Sequence, residues 1–158
     1  MILTLSRQAV TAWLFFFLFP AIAVGQLSIT EFVADNDGSY LDSDGEASDW
    51  IELSNSGASA VSTDGLYLTD NASDLTQWML PDVTIPAGGY LVIFASGKDR
   101  KDPQGDLHTN FSLSAGGEYL ALIGTDGITP LSQFTPEFPK QFFGVAYGTG
   151  TNSVTESK

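Results

Sequence analysis

Apolar residues in this chain occur in short segments that alternate with polar residues, and most segments end near a turn signal such as NDG, NSG, TDG or AGG. A period of two puts successive side chains on opposite faces of an extended chain, which is typical of a half-buried strand. No window of eleven or more residues beyond the N-terminal segment keeps the 3.6-residue period of a helix. Many short strands with glycine-rich turns predict an all-β sandwich or barrel. The predicted strands cover residues 27–34, 50–56, 65–70, 76–81, 89–96, 118–124 and 130–134.

The same alternation predicts which side chains form the core. In the sequence WIEL it sends Trp50 and Glu52 to one face of the strand. Ile51 and Leu53 share the other face, so we expect these two aliphatic residues to be buried. In the first predicted strand, the shared face holds Leu27, Ile29, Glu31 and Val33. Applied along the chain, the alternation predicts a core that contains Ile51, Leu53, Leu68, Leu91, Ile93, Leu120 and Leu122.

The N-terminal segment has the organisation of a secretory signal peptide over residues 1–25. A basic residue, Arg7, precedes an apolar run over residues 12–24, and small residues stand three and one positions before Gln26. We therefore expect cleavage before Gln26. The run is shorter than the ~20 apolar residues of a bilayer span, so an uncleaved membrane anchor is the less favoured alternative. With no cysteine in the chain, disulfides and cysteine–metal sites are excluded. These features together suggest a bacterial protein that is secreted, periplasmic or on the cell surface.

Negative charge is concentrated in one part of the chain. The 158 residues carry a formal net charge of −13, and there are twelve acids and no Lys or Arg from Glu31 to Asp82. Such a surface repels phosphate backbones and anionic membranes, so the isolated chain is not expected to bind nucleic acid or to insert into a membrane after signal cleavage. Cations and basic partners are favoured.

Six carboxylates and two glycines lie within DNDGSYLDSDGEASDW, residues 35–50. An EF-hand reading fails with either Gly38 or Gly45 at its sixth position, because position 1 is then apolar or aromatic and position 12 is not glutamate. Two alternatives remain, a solvated loop between two strands and a weak, irregular calcium site with a Kd of order 10⁻⁴–10⁻³ M. The tentative calcium ligands are Asp35, Asp37, Asp42, Asp44, Glu46 and Asp49.

The sequence offers few groups for catalysis. His108 is the one histidine, and no G-x-S-x-G motif presents a serine nucleophile. We expect His108 to be an exposed or backbone-bonded side chain in a loop. Residues 96–106 hold three basic residues among acids and turn formers, which indicates a solvated loop that also offers a contact surface. No catalytic residue and no enzyme activity are therefore predicted.

Five segments, in their order and spacing, resemble the lamin tail domain family: DWIELSNSG (49–57), GLYLTD (65–70), Trp78, PDVTIPAGGYLVIFAS (81–96) and NFSLSAGGEYLALIG (110–124). The resemblance covers about residues 27–147 and implies an antiparallel, immunoglobulin-like β-sandwich. One departure is Leu66, which follows Gly65 where the family often has tryptophan. The motif positions, for which we expect structural roles, are Asp49, Trp50, Ile51, Glu52, Leu53, Asn55, Gly65, Gly88 and Gly89.

The resemblance implies an exported, non-catalytic interaction module that binds an unknown protein or cell-surface partner, or that accompanies a catalytic domain in a larger chain. The expected layout is a signal peptide (1–25), the sandwich domain (26–147) and a polar tail or linker start (148–158). No cofactor is expected, apart from the weak calcium alternative. A small secreted hydrolase and a calcium-dependent binding domain that uses residues 35–49 remain as alternatives. The nuclear role of the animal family is not implied, because the sequence has no coiled-coil rod and no prenylation box.

Overall fold

A computed structural model describes residues 27–149, which form short β-strands and contain no helix. In this part of the chain, no helix is long and apolar enough to cross a membrane. The predicted signal peptide, its cleavage site before Gln26 and residues 150–158 of the predicted tail lie outside the described residues. The last strand ends at Gly148, next to the predicted domain boundary at residue 147, and that boundary stays a prediction.

The strands are arranged in two main sheets and one small one. Their bounds are β1 (Leu27–Val33), β2 (Asp49–Asn55), β3 (Val61–Ser62), β4 (Tyr67–Thr69), β5 (Trp78–Met79), β6 (Thr84–Ile85), β7 (Tyr90–Ala95), β8 (Leu107–His108), β9 (Leu120–Ile123), β10 (Pro130–Phe134) and β11 (Tyr147–Gly148). The five-stranded sheet has the order β11-β1-β2-β7-β8, the four-stranded sheet β10-β9-β4-β5, and β3 pairs with β6. All pairs are antiparallel except β7–β8. The predicted all-β, antiparallel sandwich is thereby confirmed.

The core lies between the two main sheets, where inward-facing side chains of both form one cluster. The predicted core residues are fully buried, with the exception of Leu91. Leu91 lies near the start of β7, where it packs against the core and stays half-exposed. Leu66, at the position where the family often has tryptophan, is also buried in the core. The shorter side chain is therefore accommodated within the same cluster.

The four residues predicted to share one face of β1 differ in their burial: Leu27, Ile29 and Val33 are buried, whereas Glu31 is half-buried. The pairing of β1 with β2 shifts by one residue between Ile29 and Glu31. Such a β-bulge adds one residue to one strand and reverses the face on which later side chains lie. Phe32 therefore enters the core, where its ring contacts those of Phe134 and Phe138, and Glu31 stays half-buried. The bulge keeps a carboxylate out of the apolar interior, where an unpaired charge is costly.

Candidate functional site

The acidic loop, residues 35–49, connects β1 to β2 and is paired with a cation from a distant part of the chain. Lys98, in the segment that follows β7, places its Nζ 2.6 Å from Asp42 Oδ2, 2.8 Å from Asp44 Oδ2 and 2.9 Å from Glu46 Oε2. Arg100 adds a second pair, with its guanidinium 2.7 Å from Asp44 Oδ2. We call these five residues the lysine-centred cluster. Lys98 and Arg100 supply the positive charge that the acidic loop lacks in its own sequence.

Asp42 is the most enclosed member of the lysine-centred cluster, with a side chain that is 0% exposed. Its Oδ1 accepts hydrogen bonds from the backbone N–H groups of Asp44 at 3.0 Å and Glu46 at 2.9 Å, and its Oδ2 accepts one from Ser48 Oγ at 3.1 Å. Burial alone would raise the pKa of Asp42, but the hydrogen bonds from Lys98, Glu46 and Ser48 outweigh it and lower that pKa. The cluster is thus built around an ionised, fully hydrogen-bonded carboxylate.

The charges around Lys98 favour its protonated form. Hydrogen bonds to Asp42, then to Asp44 and Glu46, raise the pKa of the Lys98 ammonium. The segment after β7 is also tied to the acidic loop away from the ammonium, because Ser43 N donates to Asp106 Oδ2 at 2.6 Å. Residues 96–106, expected to form a solvated loop, therefore pack on the acidic loop.

The other three acids of the loop lie apart from Lys98, in a half that Asn36 organises. Asn36 Nδ2 donates to the carbonyl oxygens of Tyr40 at 2.7 Å and Ser48 at 2.8 Å, and Asn36 N donates to Asp49 Oδ1 at 3.1 Å. Burial raises the pKa of Asp49, with a further contribution from nearby Asp35. Of the six tentative calcium ligands, the structure brings three together: Asp42, Asp44 and Glu46.

The three grouped carboxylates are a partial set for calcium. Their oxygens lie within 4.8 Å of one another, whereas calcium takes six to eight oxygen ligands. Lys98 Nζ lies within 2.9 Å of all three residues, so a metal ion at the same position would have to displace the ammonium. The three carboxylates already share one cation, and the chain supplies that cation itself. Calcium binding stays a prediction.

His108 is buried in a strand and its ring is bonded to a side chain, so the expectation of an exposed or backbone-bonded side chain in a loop is wrong. It ends β8, which pairs with β7 in the five-stranded sheet, and its ring stacks on Phe94 at 5.2 Å. Nδ1 is hydrogen-bonded to Ser96 Oγ at 2.8 Å, and Nε2 has no hydrogen-bond partner among the described residues. Burial, then the cations Lys98 and Arg100, lower the pKa of His108. A two-residue strand has no readable period, so local sequence gave no sign of this burial.

The Ser96–His108 pair lacks what serine catalysis requires. In a catalytic triad a carboxylate orients the second ring nitrogen and stabilises the imidazolium. Here that nitrogen, Nε2, is buried without a hydrogen-bond acceptor in residues 27–149. The lowered pKa also disfavours the protonated ring that a triad forms during acyl transfer. The pair can therefore position the β7–β8 segment, and within residues 27–149 no carboxylate is hydrogen-bonded to Nε2.

The motif residues expected to be structural lie in strands and turns, and Asn55 is hydrogen-bonded through both ends of its side-chain amide. Its Nδ2 donates to the carbonyl oxygens of Ser59, Ile85 and Pro86 at 2.8–3.0 Å, and its Oδ1 accepts from Gly57 N at 3.0 Å. Asn55 thus joins two turns at one end of the sandwich. In the same region Gly88 N donates to the Asn55 carbonyl, and Gly89 O accepts from Asn55 N. Gly65 lies elsewhere, near Thr125, and precedes buried Leu66.

The outer face of β2 carries the remaining motif side chains. Trp50 is half-buried under Tyr40, whose ring meets it edge-on at 6.1 Å and stacks on Phe94 at 5.5 Å. Glu52 lies opposite Glu31 in the β1–β2 pairing and accepts a 2.6 Å hydrogen bond from Thr30 Oγ1. Burial, then the charge of Glu52, raise the pKa of Glu31. The acidic loop thus covers part of the outer face of the five-stranded sheet.

A turn of opposite character lies beside the acidic loop. Phe142 and Phe143 are 65% and 70% exposed, and Val145 is 46% exposed. Val145 N donates to the Phe142 carbonyl at 3.0 Å, which closes a turn. Sequence reasoning missed this segment because it carries no strand period and no polar motif. Adjacent phenylalanines just before a glycine were the one available indication of a turn with exposed apolar side chains.

Comparison with known proteins identifies the family. The sequence matches the model of the lamin tail domain family over residues 20–136, most of the chain. A search of curated proteins found no match. The family consists of non-enzymatic, immunoglobulin-like all-β domains, which agrees with the observed sandwich. The resemblance inferred from the five sequence segments is confirmed, and the chain belongs to the lamin tail domain family.

Proposed function

We propose that this protein is an exported, non-catalytic interaction module that binds a protein or cell-surface partner, alone or beside a catalytic domain of a larger chain. The observation that carries this proposal is the pairing of its reactive groups within the fold. Asp42 is enclosed and bonded to Lys98, and His108 is buried against Phe94. Groups held in this way stabilise the fold and are not presented to a substrate.

Export is supported by sequence features at the N-terminus. A basic residue, an apolar run and small residues before Gln26 have the organisation of a cleaved signal peptide. The lack of cysteine lets the domain fold in either redox environment. The strongly acidic composition argues against nucleic acid as the partner of the isolated chain.

The module requires no cofactor in this proposal. We propose that calcium binds the lysine-centred cluster no more tightly than about 10⁻⁴ M, the weak range of extracellular calcium modules. The support is Lys98, which already lies at hydrogen-bond distance from all three grouped carboxylates. Calcium binding would have to compete with this internal ammonium.

Two measurements test the proposed function. Fractionation of the producing cells, with N-terminal sequencing of the exported protein, should find a start at or within a few residues of Gln26. Material that still begins at Met1 contradicts the export proposal. The purified, naturally processed protein should turn over no ester, glycoside or phosphodiester. Turnover that is lost in Ser96→Ala or in His108→Gln, with the fold retained, contradicts the non-catalytic proposal.

A further inference from the structure

The turn over residues 142–145, which we call the phenylalanine turn, is an exposed apolar segment beside the acidic loop. Its two rings are both more than half exposed. Aromatic side chains contribute strongly to protein interfaces, because each buries a large area at a low cost in conformational entropy. Single exposed apolar residues are common on protein surfaces, but neighbouring ones at one turn form a patch. The phenylalanine turn is therefore a candidate interaction surface.

The backbone holds the phenylalanine turn in a fixed position against the acidic loop. Gly144 N donates to the Asp35 carbonyl at 2.8 Å, and Gln141 N, just before the turn, donates to the Ala115 carbonyl at 2.8 Å. Gly144 has a φ of +68°, a conformation that favours glycine. The Asp37 carboxylate lies so close to Gly144 that a Cβ at this position would overlap it. The turn is thus pre-organised, which lowers the entropy cost of binding.

The charges beside the phenylalanine turn indicate which charged groups a partner would carry. Asp37 is exposed and lies against the turn. Three of the four Lys and Arg residues in the described range are engaged elsewhere, since Lys98 and Arg100 bind the acidic loop and Lys101 lies over the Trp78 ring at 5.3 Å. Lys140 is the exposed cation closest to the turn in sequence. Asp35 also lies against the turn, through the hydrogen bond that its carbonyl accepts from Gly144 N. Two acids thus outnumber this one lysine, and the surroundings of the turn favour cationic groups on the bound segment.

We propose that the phenylalanine turn and Asp37 form a docking surface for a polypeptide segment in which apolar side chains are flanked by Lys or Arg. The apolar side chains pack on Phe142 and Phe143, and a cation pairs with Asp37. This proposal rests on the proposed function as an interaction module and specifies its surface. A second copy of the chain fits less well, because two molecules with a net charge of −13 each would bring like charges together. Anionic membranes are disfavoured by the same repulsion.

Synthetic peptides of defined chemistry test the docking surface. A labelled peptide that alternates Lys and Leu is titrated with the naturally processed protein, beside a Lys–Ser peptide of equal charge and a Glu–Leu peptide. Fluorescence anisotropy gives each Kd. We expect the Lys–Leu peptide to bind at least tenfold more tightly than either of the others. Equal binding of the Lys–Leu and Lys–Ser peptides overturns the proposal, because the attraction is then charge alone.

Substitutions test whether the Lys–Leu peptide binds at the phenylalanine turn. Phe142→Ser with Phe143→Ser should weaken binding of the Lys–Leu peptide at least tenfold, and Asp37→Asn about threefold. Ile128→Ser is the matched control, since Ile128 is 72% exposed on a different turn, and it should leave the Kd unchanged. Melting curves show that each variant is folded. An unchanged Kd in the double variant, or an equal loss in Ile128→Ser, overturns the proposal.

Two further measurements distinguish polypeptide binding at this surface from membrane binding and from a partner that binds elsewhere on the protein. Neutral phosphatidylcholine vesicles should not bind the protein. Binding to them that the Phe142→Ser/Phe143→Ser variant loses would assign the turn to a membrane and overturn the proposal. Retention of the native protein and of the double variant on cell-surface material should differ. Equal retention would leave the proposed function standing and remove the phenylalanine turn as its surface, whereas loss of export or a catalytic turnover would contradict the proposed function itself.

Discussion

The lysine-centred cluster and the phenylalanine turn lie beside the same acidic loop and differ in what they leave unpaired. In the cluster, Asp42, Asp44 and Glu46 meet Lys98, and the enclosed carboxylate of Asp42 is fully hydrogen-bonded. In the turn, two phenylalanine rings stay in solvent. The three grouped acids are thus paired with a cation of the same chain. The phenylalanine turn, which has no sequence motif, keeps its apolar side chains exposed and available for contact.

The comparison teaches that residue type alone does not indicate where function lies. A carboxylate cluster with perturbed pKa values need not be a functional site, because ion-pair networks that belong to the fold perturb pKa values as well. Lys98 is such a partner, 56 positions from Asp42 in the chain. Exposed aromatic rings show the reverse case, because burial against a partner would remove their apolar surface from water. Whether a charged or aromatic side chain is paired or exposed therefore depends on packing between segments that are distant in sequence.

Truncation of a core side chain should lower the free energy of unfolding more than any change in the cluster or in the phenylalanine turn. Leu120 is fully buried in the four-stranded sheet, so Leu120→Ala removes packed methyl groups and leaves a cavity. We expect a loss of about 2–5 kcal/mol in the free energy of unfolding. Urea denaturation of the naturally processed protein measures it. A value near zero would show that Leu120 is not part of a packed core.

Loss of the cluster cation should have the next largest effect. Lys98→Met keeps most of the side-chain length and removes the ammonium that Asp42, Asp44 and Glu46 share. The enclosed Asp42 then loses its charge partner, so we expect a lower melting temperature, with a smaller decrease than in Leu120→Ala. Lys140→Met is the control, because this exposed lysine forms no salt bridge within residues 27–149. Equal melting temperatures for the two variants would mean that the cluster does not stabilise the fold.

The buried histidine should make stability depend on pH. The pKa of His108 is lowered below its ordinary value of 6.5, so the unfolded chain binds a proton more readily than the folded one. Its contribution is therefore complete above pH 6.5 and is lost as the pH falls from 6.5 towards the folded pKa. His108→Gln should remove this part of the dependence. The measurement is the difference in free energy of unfolding between the native protein and His108→Gln from pH 8 to pH 5, and a constant difference contradicts the prediction.

The phenylalanine turn should contribute least to stability. Its rings are exposed, so Phe142→Ser with Phe143→Ser should change the free energy of unfolding by no more than about 0.5 kcal/mol. Gly144→Ala is the comparison variant in the same turn. A Cβ at this position meets the Asp37 carboxylate, and the φ of Gly144 is +68°. Gly144→Ala should lower the melting temperature more than the double substitution. The reverse order would mean that the rings are packed against the domain.

Sequence reasoning recovered the fold because its longer strands carry a period. Strands β1, β4, β5, β7, β9 and β10 fall within predicted segments, and β2 begins one residue before its predicted segment. Strands β3, β6, β8 and β11, which no predicted segment covers, have two residues each, and two residues cannot display an alternation. Strand β5 is equally short and was predicted only because its neighbours in 76–81 extend the pattern. The bulge between Ile29 and Glu31 was also unreadable, since the apolar pattern continues through it.

The candidate site was less predictable than the fold. The acidic loop was visible as a cluster of carboxylates, but its split into two halves depends on Lys98 and on Asn36, whose contacts form only in the folded chain. The same holds for His108, which is buried by pairing with β7 rather than by its neighbours in sequence. Tertiary contacts between segments that local sequence treats as independent decide these features.

Calcium dependence of the melting temperature tests most directly whether the lysine-centred cluster is satisfied within the chain. The naturally processed protein is melted in EDTA and in calcium up to the millimolar range, beside Asp42→Asn with Asp44→Asn. We predict no change in the melting temperature of the native protein below about 10⁻⁴ M calcium, because Lys98 already holds the three carboxylates. A rise in melting temperature at micromolar calcium that the double substitution abolishes would contradict the account and make the acidic loop a true metal site.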